Sequence, residues 1–297
     1  MSDDFSVRID NAAKNIKVIR SKPLFVMYYY ELAGRILDDD VKDVYDEFRR
    51  RGWTRDQIHD SLEVVIHCYG GDADASYRVG QILHDFAKDI SFLVPFHATS
   101  GATLICLGGK QIRLGAYASL SPIDIRIDDT ELASIDSFKE FAINCRRDVE
   151  NILDENESER STDVESVLLC EMVKQDNALN IGSLYRLSNL TGLYAHRLMY
   201  DYMFEKHTNR QAMANKIALS LLKEFPSHNF VLDYHMAQMI ELPVKEMNEE
   251  ESDNTKALIS LLDELTTQGV ICRDIGVDPE GETLKSPFFR LYPNEGE

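Results

Sequence analysis

Apolar positions along this chain follow two periods, and the switch between them outlines the fold. Leu62-Glu-Val-Val-Ile-His-Cys68 is a short apolar run that stops at Tyr69-Gly70-Gly71, the pattern of a buried strand entering a glycine turn. From Ala73 to Lys88 the apolar residues Ala75, Val79, Ile82, Leu83 and Phe86 recur at helical spacing, so the turn feeds an amphipathic helix. Ile90 to Phe96 predicts the next strand, about Thr99 to Leu107 a second helix closed by Gly108-Gly109, and Gln111 to Gly115 a third strand. Strand, glycine turn, helix, strand, helix, strand is the order of an α/β protein with a parallel sheet.

Upstream, Asn11 to Ile19 predicts a helix, Pro23 to Tyr29 a strand rich in β-formers, and Asp39 to Arg51 a polar helix. Beyond Asp128 the pattern is mainly helical, with acidic interruptions at Asp154–Glu159 and Glu246–Asp253 that read as loops or linkers. Thr255 to Thr267 predicts a further amphipathic helix, and the polar, Pro/Gly-containing stretch from Asp278 reads as a tail. The expected organisation is one main domain over residues 1–245 and a helical extension with a tail over 246–297.

Composition narrows the function. The formal charge is −19, and the one dense basic cluster, Arg49-Arg50-Arg51, follows acidic Asp46-Glu47 and reads as a solvated helix face. A nucleic-acid partner, which needs clustered cations, and an anionic membrane surface are both disfavoured. No stretch approaches the roughly 18 to 20 apolar residues of a membrane span, and Met1-Ser2-Asp3-Asp4 lacks a signal-peptide pattern, so a cytoplasmic protein without membrane insertion is expected. The five cysteines (68, 106, 145, 170 and 272) are scattered and fit free thiols better than a disulfide framework. His228 and His235 are seven apart, no metal-ligand spacing is present, and neither phosphate-binding glycine motif occurs; no metal and no cofactor are inferred.

Two features sit where hydrolytic chemistry would need them. At Gly70-Gly71 the missing side chains let a carbonyl approach backbone N–H groups that could hold an oxyanion. Ser100, in Thr99-Ser-Gly-Ala-Thr103, opens a helix of small residues, where the Gly101 N–H could be a second donor. A glycine turn is common in α/β folds and a serine before a helix is usually an N-cap, so the information lies in their combination one strand–helix unit apart.

The segments Val64–Gly71, Val94–Thr103, Leu107–Lys110 and Ser119-Leu-Ser-Pro-Ile-Asp124, with Phe225-Pro-Ser-His228 to His235, resemble the serine dehydrogenase proteinase family of the Clp-peptidase and crotonase superfamily. The resemblance covers most of residues 10–245. It implies a Clp/crotonase-type spiral of ββα units with additional C-terminal helices, Ser100 as nucleophile, Gly71 and Gly101 as oxyanion donors beside Gly70, a polypeptide substrate and a homo-oligomer held by the helices after the core. The histidine that Clp-type peptidases carry a short way after the serine is missing, and Ser121-Pro-Ile-Asp124 stands there instead.

The base is therefore open at this level. Asp124 could orient another group, although an ordinary carboxylate near pKa 3.9 is a poor base for serine. A Ser-Lys pair, as in signal-peptide-peptidase-like enzymes, would need a neutral, buried lysine; Lys139 is the nearest downstream candidate, and Lys110 reads as exposed. His228 and His97 are the remaining candidates. Asp72, directly after the glycines, would oppose an oxyanion if its carboxylate faced the site. The leading expectation is a serine peptidase forming an acyl-enzyme at Ser100. Its competitors are a catalytically silent scaffold of the same fold and acyl-coenzyme A chemistry at the same oxyanion site.

Overall fold

The computed structural model describes residues 2–30, 34–124, 126–127, 130–152, 158–176, 178–267 and 287–294. In chain order the elements are α1 (Ser2–Arg20), β1 (Leu24–Tyr28), α2 (Asp38–Arg50), β2 (His59–His67), α3 (Ala73–Phe86), β3 (Ala87–Val94), β4 (His97–Ala98), α4 (Gly101–Cys106), β5 (Gln111–Leu114) and β6 (Ser119–Leu120). There follow β7 (Arg126–Ile127), β8 (Thr130–Glu131), α5 (Leu132–Ile152), α6 (Ser158–Asp176), α7 (Ala178–Leu198) with a π-helical turn at Met199–Met203, and α8 (Arg210–Lys223). The last elements are α9 (Tyr234–Met239), β9 (Val244–Glu246), α10 (Glu249–Thr267) and β10 (Phe288–Tyr292).

The expected α/β class holds. Six strands form one sheet in the order β10-β1-β2-β3-β5-β9, parallel throughout except for β10, which pairs antiparallel with β1. A smaller parallel pair, β4 and β6, is extended by bridges from Cys68 to Ala98 and from Leu120 to Leu232. Two central strands of the large sheet thus hand the chain to a short extended piece before a helix: β2 to 68–71 and α3, β3 to β4 and α4. This is the ββα repeat expected from the sequence.

Continuous apolar strands belong in a sheet covered on both faces. Phe25, Met27, Val64, Ile66, Phe92, Val94, Ile112 and Leu114 face one core, which α2, α3 and α4 complete. Phe48 of α2 and Phe86 of α3 stack there at 4.7 Å and 5°; burying each such ring is worth roughly 2 to 3 kcal/mol. Leu24, Val26, Tyr28, Val65 and Leu93 face the opposite core, closed by α1 and α10.

Two expectations need correction at the C-terminal end. Glu246–Asp253 is not a linker: Glu249 onward is the first turn of α10, with Asn248 accepting from the Glu251 N–H at 2.8 Å and Glu251 accepting from the Asn248 N–H at 3.1 Å, a capping box. Nor is the acidic run fully solvated, because Glu251 is 3% exposed and pairs with Arg20 (2.6 Å) and Arg113 (2.6 Å). The expected tail contains β10, which completes the sheet edge. Residues 249–267 and 288–292 thus pack on the same sheet as β1 and β2. The Asp154–Glu159 stretch falls largely outside the described residues, and α6 already begins at Ser158. Cys272 also lies outside them; Cys68 and Cys106 are buried free thiols, whereas Cys170 is exposed.

One group of buried charged residues lies between the sheet and α10. Glu63, fully buried on β2, accepts from Arg20 (3.1 Å) and Lys22 (2.7 Å), and Arg20 links it to Glu251. Burial alone would raise the Glu251 carboxyl; Arg113, the Asn248 N–H and Arg20 together hold it below the usual range. Two residues beyond Val65 on the same face, His67 sits among the rings of Tyr28, Tyr69, Phe96 and His97. Its buried Nδ1 has no partner among the described residues. Burial, and then His97, pushes its pKa down to about 4.

Glu251→Ala removes the carboxylate that Arg20 and Arg113 share beneath α10 and is expected to cost about 3 kcal/mol in urea unfolding at neutral pH; a loss under about 1 kcal/mol would mean that water replaces the carboxylate. For His67 the native state refuses a proton that the unfolded chain accepts below the ordinary value of 6.5. Its contribution to stability is thus complete above pH 6.5 and is lost as pH falls toward 4, by about 3 kcal/mol at most. His67→Phe should flatten that decline and raise stability at pH 7 by about 1 kcal/mol, since a buried orphan nitrogen is removed.

Candidate active site

The site begins where β2 ends. Gly70 and Gly71 take φ values of 101° and 155°, which L side chains rarely adopt. Space forbids a side chain as firmly as conformation does. A Cβ on Gly70 would lie 2.7 Å from the Ser100 Cβ, and one on Gly71 would lie 2.3 Å from the Ile36 nitrogen. The turn is held by Ile36, whose N–H donates to the Gly70 carbonyl and whose carbonyl accepts from the Asp72 N–H, both at 2.9 Å. The Cys68 thiol sulfur accepts from the Gly70 N–H at 3.2 Å.

Opposite the glycines stands Ser100. Its φ of 52° and ψ of −118° are strained for a residue with a Cβ, and its side chain makes no cap hydrogen bond to α4. The common N-cap reading of a serine before a helix therefore fails here. Three groups fix the strained backbone. The Ser100 N–H donates to the Ser121 hydroxyl at 2.7 Å, the Ser121 N–H donates to the Thr103 hydroxyl at 3.1 Å, and that hydroxyl donates to the Ala98 carbonyl at 2.7 Å. Thr103 is fully buried and Ser121 nearly so. Sequence reasoning had both residues in view but gave neither a role, because no periodicity reveals a hydroxyl pairing across 18 residues.

Gly101 lies against the glycine turn, since a Cβ there would be 3.1 Å from the Gly71 nitrogen and 2.4 Å from the Ser76 hydroxyl. Among the described residues neither the Gly71 nor the Gly101 N–H donates a hydrogen bond within the protein. Asp72 is accounted for differently: its carboxylate caps α3 by accepting from the Ala75 N–H at 2.8 Å. The charge feared at the oxyanion position serves as a helix cap.

Asp124 and His228, far apart in sequence, meet. The His228 Nδ1 lies 2.9 Å from Asp124 Oδ1, with the carboxylate almost fully buried and the ring partly so. The pairing is built by the backbone: Leu120 and Leu232 exchange hydrogen bonds at 2.9 and 3.0 Å, and the Ile123 N–H donates to the Leu221 carbonyl at 3.1 Å. The segment that presents Ser121 to Ser100 thus also carries Asp124, three residues on, to His228.

The other candidate bases are placed elsewhere. His97 pairs by register with Ser119, its Nδ1 2.9 Å from the Ser119 hydroxyl, and burial lowers its pKa. Lys110 is bound to the Tyr202 carbonyl (2.6 Å) and Glu205 (2.7 Å). Lys139, on α5, bonds to Asp136 and the Tyr185 hydroxyl. Although burial works against its charge, these partners raise its pKa, so it is a held cation rather than the neutral amine that a Ser-Lys pair requires.

Comparison with known proteins supports the resemblance. An uncharacterized protein of Methanocaldococcus jannaschii is 31% identical over 74 residues, which cover 25% of this chain and 25% of that one. The chain therefore matches about a quarter of that relative's length. No solved structure matches it. No helix among the described residues is long and apolar enough to cross a membrane. Residues 40–162, which carry Gly70, Gly71, Ser100, Gly101, Ser121 and Asp124 but not His228, match the family of ClpP-like SDH-type serine proteinases, in line with the family that the sequence resembles.

Proposed function

We propose that this chain is a serine peptidase in which Ser100 is the nucleophile, His228 its general base and Asp124 the group that orients the base. The observation that carries the reading is the Ser100 backbone: a strained serine, not used as a cap, with two unengaged glycine N–H groups beside it. Strain of this kind costs on the order of 1 to 3 kcal/mol and persists where the surroundings impose it, as the Ser121–Thr103 chain does here.

In the proposed reaction the Ser100 Oγ attacks a peptide carbonyl while its proton passes to His228 Nε2. Asp124, accepting from Nδ1–H, fixes the tautomer in which Nε2 carries the lone pair that takes that proton, and steadies the imidazolium that forms. The carbonyl oxygen, now negative, accepts from the Gly71 and Gly101 N–H groups. The bond to the leaving amine breaks as His228 returns the proton to it, leaving an acyl-enzyme on Ser100. Water, deprotonated by the same histidine, then releases the acid and restores the serine. Assembly into a homo-oligomer, implied by the family, is assigned to α5–α7, where Phe141, Val167, Leu179 and Leu193 are exposed.

A fluorophosphonate probe should give one adduct by intact mass, lost in Ser100→Ala. His228→Gln and Asp124→Asn are expected to slow labelling by about 100-fold or more. Labelling of His228→Gln at the unaltered rate would remove His228 from the mechanism, and no adduct on the assembled parent protein would favour the silent scaffold. Light scattering should find more than one copy per particle, and Leu179→Glu with Leu193→Glu should reduce that number.

A further inference from the structure

The oxyanion strand is not braced by its own sheet alone. Gly71 lies in a parallel bridge with Ile36, and the two hydrogen bonds of that bridge aim the peptide planes on either side of Gly71. What holds Ile36 is therefore one step from the geometry of the proposed oxyanion donor. The next residue, Leu37, donates its N–H to Asp40 Oδ2 at 2.8 Å, and the Asp40 N–H returns a bond to the Leu37 carbonyl at 3.1 Å. The same carboxylate oxygen accepts from the Tyr29 hydroxyl at 3.0 Å. Tyr29 is fully buried, and its own N–H donates to the His67 carbonyl at 2.9 Å, so it is fixed to the strand that leads into the glycine turn.

Asp40 is only 5% exposed. A carboxylate is costly to bury, and as a plain first-turn residue of α2 it would gain as much by facing water, as Asp38 and Asp39 beside it do. Its place between Leu37 and Tyr29 closes a ring of contacts: β2 to Tyr29, Tyr29 to Asp40, Asp40 to Leu37, Ile36 to Gly70 and Asp72, and back to β2.

We infer that Asp40 is a positioning residue for the oxyanion strand, setting through Leu37 and Ile36 where the Gly71 N–H points. The inference deepens the serine-peptidase reading and rests on it for its catalytic consequence. Asp40 touches neither substrate nor reacting atoms in this scheme; it acts through the backbone of residues 36–37.

The test compares Asp40→Ala, Asp40→Asn and Tyr29→Phe in the full chain by two measurements. The first is hydrogen exchange at the Ile36 and Asp72 amides; the second is the rate of fluorophosphonate labelling at Ser100. Asp40→Ala should accelerate exchange at both amides and slow labelling by about 10- to 100-fold, the effect of a misplaced donor. Asp40→Asn, which keeps an acceptor oxygen, should restore both to within about threefold of the parent, a rescue that loss of packing would not show. Tyr29→Phe should fall between them, and it reports on the same ring should the alanine variant fail to fold. Unchanged exchange at Ile36 and Asp72 in both Asp40→Ala and Tyr29→Phe overturns the inference whatever the labelling does. If the parent protein itself is not labelled, the peptidase reading falls, while the exchange measurement still decides whether Asp40 braces the strand.

Discussion

Close backbone approach is the constraint on which the rest depends. At the end of β2 the chain passes between Ile36 on one side and Ser100-Gly101 on the other, with no room for a Cβ at residues 70, 71 or 101. Hydrogen bonds of parallel strands bring these segments together, and only glycine lets them stay there with φ at 101° and 155°. Everything proposed for the chemistry follows from that contact. The Gly71 and Gly101 N–H groups are left without a hydrogen bond among the described residues, and the serine is held in a conformation that its neighbours must maintain.

Maintaining it uses polar groups that lie within the apolar core. Thr103 and Ser121 are buried hydroxyls that each both donate and accept, so that none of the hydrogen-bonding capacity needed to hold Ser100 is wasted on water. Asp40 and Tyr29 do the equivalent on the other side of the turn. The charged network under α10 has a different function: Glu63, Arg20, Glu251 and Arg113 join β2, α1, α10 and β5. Such a network is a weak source of stability but a strict selector of register, because any other seating of α10 would strand buried charge.

Legibility of these features in the sequence follows from the range of the interactions. β2, its glycine turn, α3, β3, α4 and β5 could be read because hydrophobic period and turn chemistry are local properties. Ser100 and Gly70-Gly71 could be read because a motif survives as a string. Asp124 and His228 were each visible as candidates, yet their pairing was not, since it depends on Leu120 meeting Leu232 across the fold. Glu251 was misread with its acidic neighbours because capping and ion pairing override the usual meaning of a charge run. β10 was misread for the same kind of reason: five residues after a polar stretch look like a tail until β1 offers them an edge.

That edge has a consequence for synthesis. β1 is made before either of its partners, and on one side it pairs with β2 within the next forty or so residues, as nearest-neighbour strands of a parallel sheet can. Its other side waits for Phe288–Tyr292, and the ties that seal the join, Arg290 and Tyr292 to Asp10 and the Leu291 N–H to Glu47, span more than 240 residues. While the chain is still on the ribosome, the apolar Leu24–Tyr28 edge has no native partner and resembles any open strand edge that another chain could extend. Closing this clasp is thus the longest-range strand pairing of the sheet, and until Phe288–Tyr292 has been made the nascent β1 edge is open to mispairing.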